Sequence, residues 1–204
     1  MTIIKTLQSR VIRLTLAAFA FQAIFAAIFV DATRDHDIAW PNAPLRPKFR
    51  LQSSEGSIVD SHWLRGRPYL LFFGFANCPA ICPITLAETQ ALLREAGAPT
   101  RMFSIYFVSV DPARDTPQAL RNFVSGFGDN VFGLTGSDEE IATAAKSVRA
   151  YFSKGKHASV ESVDHSALVY LVSSGGEVVS TVTVDEPKAN ALYKIRTLSV
   201  LGRL

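Results

Sequence analysis

The chain has 204 residues, 48% of them apolar, which is enough for one domain with a substantial hydrophobic core. Its formal net charge of +3 belongs to the N-terminal tail, because no acidic residue precedes Asp31, whereas three of the 21 lysines and arginines do. The other 18 lysines and arginines balance the 18 acidic residues from Asp31 onwards. The body of the chain is therefore formally neutral and lacks the basic surface that binds nucleic acid, so we expect no nucleic-acid partner.

The N-terminal tail has the features of a membrane anchor. Residues 14–30 are apolar apart from two polar side chains, follow a basic segment at 1–13 and precede Asp31. Cations on the N-terminal flank predict a transmembrane helix with its N-terminus in the cytoplasm and the following chain outside. A helix of this length rises about 25 Å, somewhat less than the roughly 30 Å of a bilayer core.

A cleaved signal peptide is the alternative for this tail, with Ala18-Phe19-Ala20 as the cleavage site. Cleavage there would leave the apolar stretch 21–30 on the mature protein, so we favour a retained anchor. In both cases the rest of the chain lies outside the cytoplasm, where disulfides can form. We therefore expect a single-pass protein of the inner (cytoplasmic) membrane with its soluble domain in the periplasm.

Residues 31–47 are predicted to be a linker. Their second half, 40–47, is rich in proline and has neither a helical nor a strand period. The soluble domain is predicted to span 48–204 and to open with a hairpin of 49–52 and 58–59.

The rest of the domain alternates between strand-like and helix-like segments before it ends in a hairpin and a helix. Thr116 before Pro117, and Ser137 three residues before Glu140, are N-cap signals for two of the helices. This order predicts an α/β thioredoxin-like sandwich, a central mixed β-sheet flanked by helices. The predicted strands are 69–75, 102–110, 131–134, 167–172 and 177–183, the predicted helices are 83–96, 116–127, 137–150 and 187–198, and the polar stretch 153–163 is predicted to be irregular.

The two cysteines of the chain, Cys78 and Cys82, lie between a predicted strand and a predicted helix. Because the residue before a proline is biased away from the α region, we expect Cys82 to be the N-cap and Pro83 the first helical residue. The positive end of a helix favours thiolate over thiol. Cys78 then lies one turn upstream, close enough for the two sulfurs to share a metal ion or to form a disulfide.

The number and spacing of the cysteines restrict the metal. Two cysteines cannot supply a four-thiolate zinc site, and their three-residue spacer differs from the two-residue spacer of thioredoxin redox motifs. Two soft thiolates and one imidazole suit Cu(I) in a trigonal site and can also hold Cu(II). Among the four histidines, His165 is the candidate because it lies between the polar loop and the strand 167–172. In a thioredoxin-like fold the loop that enters this strand faces the cysteine corner.

The sequence alone is compatible with other interpretations of these residues. The cysteines could form a structural disulfide, or act as a redox-active pair in which Cys78 attacks and Cys82 resolves. A peroxidase is disfavoured because Phe75 occupies the position, three residues before the attacking cysteine, where peroxidases have threonine. Asp164 either orients the imidazole of His165 or is a solvated turn residue. Asp111, Arg114 and Asp115 indicate loop and cap contacts, or an ion pair that fixes their loop near the site.

Four blocks of the sequence resemble, in order, the signature blocks of the SCO/SenC family, copper-binding proteins that assist cytochrome c oxidase assembly. The resemblance covers the chain from about Phe49 to the C-terminus. The blocks are G-F-A-N-C-P-A-I-C-P at 74–83, V-D-P-A-R-D-T-P at 110–117, G-L-T-G-S at 133–137 and V-D-H-S at 163–166.

The resemblance implies a membrane-tethered chaperone that binds one copper ion, Cu(I) or Cu(II), through Cys78, Cys82 and His165. Its partner would be the copper-receiving subunit of cytochrome c oxidase, at the dinuclear copper centre. Another periplasmic copper chaperone and a thioredoxin-like reductant are further implied partners. The alternative function is a thiol–disulfide oxidoreductase that reduces cysteines of the oxidase subunit or of another copper chaperone.

The chain departs from the family pattern at Ala80, between the cysteines, where members commonly have aspartate. The change removes a negative charge and a hydrogen-bond acceptor beside the thiols, but no metal ligand. We expect it to lower the thiol pKa values and to alter the metal affinity or the redox potential.

Overall fold

The apolar run that begins at Tyr69 lies at the centre of the domain. The computed structural model describes residues 43–98, 102–154, 163–165 and 167–201, with only the backbone described at 153–154, 163–165 and 201. In chain order the elements are β1 (Arg50–Ser53), β2 (Ile58–Asp60), β3 (Tyr69–Gly74), α1 (Ile81–Glu95), β4 (Ser104–Ser109), α2 (Pro117–Val124), β5 (Val131–Thr135), α3 (Asp138–Ser147), β6 (Phe152–Lys154), β7 (Val163–His165), β8 (Val169–Val172), β9 (Val178–Val182) and α4 (Lys188–Leu201).

Seven of these strands form one mixed sheet in the order β2-β1-β5-β4-β3-β8-β9. The inner strands β3, β4 and β5 are mutually parallel, and the outer pairings are antiparallel. The mixed sheet with its helices confirms the predicted thioredoxin-like architecture.

Strand β3 is buried along its whole length, and Leu70, Leu71 and Phe72 have no exposed surface. Successive side chains of a strand point to opposite faces of the sheet, so both faces are covered here. This explains why the sequence of β3 is a continuous apolar run and does not alternate with polar residues. Helical side chains complete the same core, among them Leu86, Leu93, Leu120, Ile141 and Ile195.

The strand register brings three chain segments to one edge of the sheet. Gly74 pairs with Ser109, so the parallel strands β3 and β4 end side by side. Strand β8 runs antiparallel to β3, and its first residue, Val169, pairs with Phe72. The chain therefore enters β8 at the same edge where β3 and β4 end.

Several local predictions are confirmed. Strands β1 and β2 form the predicted hairpin. The hydroxyl of Thr116 accepts a hydrogen bond from the backbone N–H of Ala119, 3.2 Å away, and caps α2. Ser137 and Glu140 form the reciprocal capping box that opens α3. These signals are confirmed because each depends on residues only three positions apart.

The prediction of irregular structure at 153–163 is wrong at both ends of that stretch. Strands β6 and β7 form a small antiparallel pair in which Phe152 is opposite His165 and Ser153 is opposite Asp164. Each strand has three residues, which is too short to produce a recognisable alternation of apolar and polar side chains.

The N-terminal predictions lie largely outside the described residues, including the basic segment 1–13, the anchor 14–30 and most of the linker. Among the residues that the structure does describe, no helix has the length and apolar character to cross a bilayer. The carbonyl of Leu45 accepts a hydrogen bond from the N–H of Val178, 2.8 Å away, so the chain joins the domain beside β9.

Candidate metal centre

The two cysteines lie at the edge of the sheet where β3 ends. Cys78 lies in the loop between β3 and α1 with 7% of its surface exposed, and Cys82 lies in the first turn of α1 with none. They do not form a disulfide. The backbone N–H of Cys82 donates a hydrogen bond to Sγ of Cys78, 3.4 Å away. The loop thus folds back over the start of the helix and brings the first cysteine onto the second.

The predicted N-cap is wrong by two residues. Helix α1 begins at Ile81 with Ala80 as its N-cap, so Cys82 is the second helical residue and Pro83 the third. A proline is tolerated there because the first N–H groups of a helix have no partner within the helix. The methyl group of Ala80 cannot accept a hydrogen bond, and the sulfur of Cys78 accepts one from the helix instead.

Burial controls the protonation of Cys82. Desolvation raises the pKa of its thiol far above the ordinary value, and a hydrogen bond from the backbone of Phe75 opposes this only in part. Neighbouring Cys78 and the negative charge of Asp115 raise the pKa further. The expectation that the helix N-terminus favours a thiolate is therefore wrong for Cys82 in the metal-free protein, because desolvation outweighs the helix dipole.

The sulfur of Cys82 packs directly against the last residue of β3. A Cβ atom added to Gly74 would lie 2.8 Å from Sγ of Cys82 and 2.6 Å from Cε2 of Phe107. Both neighbours are fully buried, so neither has free space to move into. Glycine at this position therefore allows the second cysteine to sit against the backbone of the central strand.

Asp115 contacts the cysteine loop from the neighbouring loop, between β4 and α2. Its side-chain Oδ2 accepts hydrogen bonds from the backbone N–H of Ala76, at 3.0 Å, and from the hydroxyl of Ser109, at 2.6 Å. Burial raises the pKa of this carboxyl group above its ordinary value, and the two hydrogen bonds offset that rise only in part. The sequence had indicated only loop and cap contacts or an ion pair here; the ion pair is present between Arg114 and Asp111.

His165 and Asp164 are described through their backbones. Both lie in β7, and His165 precedes by four residues Val169, the first residue of β8. The prediction that the strand after His165 is entered at the cysteine edge is confirmed by the pairing of Val169 with Phe72. Of the other histidines, His62 is exposed in the turn after β2, and His36 and His157 lie outside the described residues. Within the described side chains, no group of three histidines, cysteines or carboxylates is close enough to hold a metal ion.

The donor chemistry of the two described cysteines suits a soft monovalent ion. Their sulfurs are neighbours in a mostly apolar setting and are not consumed by a disulfide. Thiolates select Cu(I) over hard cations such as Mg²⁺ or Ca²⁺. With both cysteines below a tenth exposed, water competes poorly for such an ion.

The chain is similar in sequence to a known protein family over most of its length. The family model described as SCO1/SenC matches residues 39–199. The mitochondrial protein SCO2 of Saccharomyces cerevisiae is 30% identical over 166 residues, which is 79% of this chain and 55% of the yeast protein. The chain spans about half the length of such mitochondrial relatives, 47% for the human SCO1 homolog.

Two solved structures share the fold and have 30% sequence identity or more. ScoI of Bradyrhizobium japonicum, solved with copper bound, has a TM-score of 0.66 and 34% identity over 76% of this chain and 99% of that one. BsSco has a TM-score of 0.61 and 30% identity over 78% of this chain and 96% of that one. It is described as having a disulfide switch and as a member of the Sco family of cytochrome c oxidase assembly proteins.

Proposed function

The chain belongs to the SCO1/SenC family, and on that premise we propose that it is a copper chaperone for cytochrome c oxidase. It binds one copper ion, Cu(I) or Cu(II), through Cys78, Cys82 and His165 and delivers it to the dinuclear copper centre of the oxidase during assembly. The observation that carries the proposal is the pair of adjacent, unoxidised thiols at the end of β3. They lie in a fold that matches a copper-bound relative over nearly all of that relative's length.

The third ligand is proposed from the course of the chain. His165 lies in β7, four residues before the start of β8, and β8 begins next to the last residues of β3. Four residues of extended chain span at most about 14 Å, which keeps the histidine near the edge of the sheet that holds the cysteines. Asp164 is proposed to accept a hydrogen bond from the imidazole and so to orient it.

Delivery requires that a partner reach the copper ion. Cys78, in the loop, is the more exposed of the two cysteines, and Cys82 is enclosed by the helix and the sheet. A thiolate or imidazole of the recipient subunit can therefore add to the copper beside Cys78 while Cys82 still holds it. Two thiolates and one imidazole leave copper three-coordinate, so an incoming ligand can bind before another leaves.

The proposed location is the inner membrane, with residues 14–30 as a single-pass anchor and the copper-binding domain in the periplasm. This rests on the charge and apolar pattern of the tail. Tethering would confine the chaperone to the membrane that contains its recipient.

Copper titration tests the proposal. The full chain is purified in mild detergent, fully reduced, and loaded with Cu(I) against a competing chelator. One tightly bound copper ion per chain is expected, with affinity reduced by roughly 100-fold or more in His165→Ala, since even an outer partner of a ligand is worth 10- to 100-fold. His62→Ala removes an exposed histidine and serves as the control. Weak binding that is indifferent to His165 would contradict the proposal.

A thiol–disulfide oxidoreductase is the second candidate function, because the same adjacent thiols can exchange with a disulfide. The thiolate of Cys78 would attack a disulfide of the oxidase subunit or of another copper chaperone. Cys82 would then break the mixed disulfide, releasing the partner as a dithiol and leaving Cys78 and Cys82 oxidised. A thioredoxin-like reductant would restore them. This chemistry needs no imidazole ligand, so activity that survives His165→Ala favours it.

A further inference from the structure

Asp115 is a buried carboxylate that joins the two loops at the cysteine edge of the sheet. It lies in the loop between β4 and α2 and is 1% exposed. Its Oδ2 accepts the backbone N–H of Ala76, which is two residues before Cys78, and the hydroxyl of Ser109, the last residue of β4. The side chain thus attaches the loop that contains Cys78 to the end of the neighbouring strand.

The hydrogen bonds around this carboxylate form a connected set. The hydroxyl of Ser109 donates to Asp115 and accepts from the backbone N–H of Asp111, 3.0 Å away. The backbone N–H of Asp115 in turn donates to the carbonyl of Asp111 at 2.9 Å. These hydrogen bonds fix both sides of the β4–α2 loop, and they are separate from the bond that the carboxylate accepts from the cysteine loop.

A carboxylate at this depth contributes little to core packing. Burying a charge is unfavourable unless hydrogen bonds compensate it, and an apolar residue of similar size would avoid that cost. The two donors on Oδ2 supply the compensation, and one of them belongs to the cysteine loop. The carboxylate is therefore tied to the conformation of the cysteine loop more than to the packing of the core.

We propose that Asp115 is a positioning residue for the copper site: through Ala76 it holds the loop in the conformation that places Cys78 over Cys82. The proposal rests on the proposed function for the identity of the metal, but the positioning itself exists in the metal-free protein. Ser109 supports the carboxylate, and the Arg114–Asp111 ion pair lies at the outer side of the same loop.

The test compares three variants of the full chain in detergent. Asp115→Ala removes the acceptor. Asp115→Asn keeps it, because both hydrogen bonds end on one oxygen and an amide oxygen can take that place. Asp129→Ala is the control. It removes an exposed carboxylate just before β5, near the start of β4, whereas Asp115 lies beyond the other end of β4.

The first readout is hydrogen exchange of the reduced, metal-free protein. In Asp115→Ala, backbone amides in peptides covering 75–82 are expected to exchange about tenfold faster, while those of the β1–β2 hairpin are unchanged. Asp115→Asn and Asp129→Ala should match the wild type. If Asp115→Ala does not fold, Asp115→Leu, which fills the space without an acceptor, is measured in its place. Unchanged exchange at 75–82, or equal acceleration in Asp115→Asn, would overturn the proposal.

The second readout is Cu(I) affinity with the same variants. It is expected to fall roughly 10- to 100-fold in Asp115→Ala and to be restored in Asp115→Asn. If the wild type itself fails to bind copper, the proposed function fails, and hydrogen exchange still decides the positioning role. Wild-type affinity in a folded Asp115→Ala would exclude any role for Asp115 in the copper site.

Discussion

The sulfur of Cys78 accepts a hydrogen bond from the backbone N–H of Cys82, at 3.4 Å, and so caps the helix that carries its partner cysteine. The N-cap residue, Ala80, provides no side-chain acceptor. Pro83 follows at the third helical position, where a capping side chain would ordinarily find an N–H. The first cysteine therefore stabilises the fold of the metal-free protein in addition to its proposed role as a ligand.

This cap predicts different effects for two replacements of Cys78. Cys78→Ser retains an acceptor on a short side chain, whereas Cys78→Ala leaves the N–H of Cys82 without that acceptor. We expect the free energy of unfolding of the metal-free protein to be about 1 kcal/mol lower in the alanine variant than in the serine variant. Urea unfolding followed by circular dichroism measures this difference. Equal stability of the two variants would show that the sulfur does not act as a cap.

The unequal burial of the two thiols predicts their order of reaction with an alkylating reagent. Cys82 is fully buried, and burial raises the pKa of its thiol, so it supplies little thiolate at neutral pH. We expect iodoacetamide to modify Cys78 at least about tenfold faster than Cys82 in the reduced, metal-free protein, since each pKa unit changes the thiolate fraction tenfold. Peptide mass spectrometry after timed quenching gives both rates. Faster modification of Cys82 would contradict the burial seen in the structure.

The contact between Gly74 and Cys82 predicts that a single methyl group damages the site. In Gly74→Ala the new Cβ would overlap Sγ of Cys82 and the ring of Phe107. We expect a loss of about 1–3 kcal/mol in the free energy of unfolding, the usual cost of overpacking a core. We also expect Cu(I) affinity to fall by about tenfold or more, because Cys82, a proposed ligand, is displaced by a fraction of an ångström.

Gly126→Ala is the matched control for that experiment. A Cβ at Gly126 would find its nearest neighbour 3.9 Å away, which is ordinary contact. Stability and copper affinity of this variant should remain near wild type. If both glycine variants behave alike, the packing against Cys82 has no special importance.

The parts of the fold that were predictable from sequence depend on short-range patterns. The apolar run of β3, the cap of α2 at Thr116 and the capping box of α3 are all defined within a few residues. The same holds for the site's two cysteines, whose position between a strand and a helix follows from their neighbours in the chain.

The features that were missed depend on contacts between distant residues. Asp115 contacts Ala76 across 39 positions of sequence, and only the parallel pairing of β3 and β4 brings them together. The protonation of Cys82 was mispredicted because a helix N-terminus can be recognised in the sequence, whereas the depth of a sulfur in the core cannot. The β6–β7 pair, with three residues in each strand, has no local pattern of its own.

Two buried tyrosines, one at the start of β3 and one within β4, make the stability of the protein depend on pH in the alkaline range. Tyr69 and Tyr106 pack edge to face with ring centroids 5.6 Å apart, and both are buried. Burial raises the pKa of both phenols in the folded protein. Above about pH 10, the ordinary phenol pKa, the unfolded chain loses these protons while the folded protein keeps them, so stability falls as the pH rises.

The slope of that fall is at most about 1.4 kcal/mol per pH unit for each tyrosine. Tyr69→Phe removes one of the two phenols, so the free energy of unfolding of the reduced, metal-free protein should decline less steeply between about pH 9 and 11. Cys82, whose pKa is also raised, contributes to the slope in both proteins and cancels from their difference. Tyr193→Phe is the control, because Tyr193 is 72% exposed in the folded protein. The stability of this variant should fall with pH as steeply as that of the wild type. Identical slopes in wild type and Tyr69→Phe would mean that the Tyr69 phenol ionises as readily in the folded protein as in the unfolded chain, contrary to its burial against Tyr106.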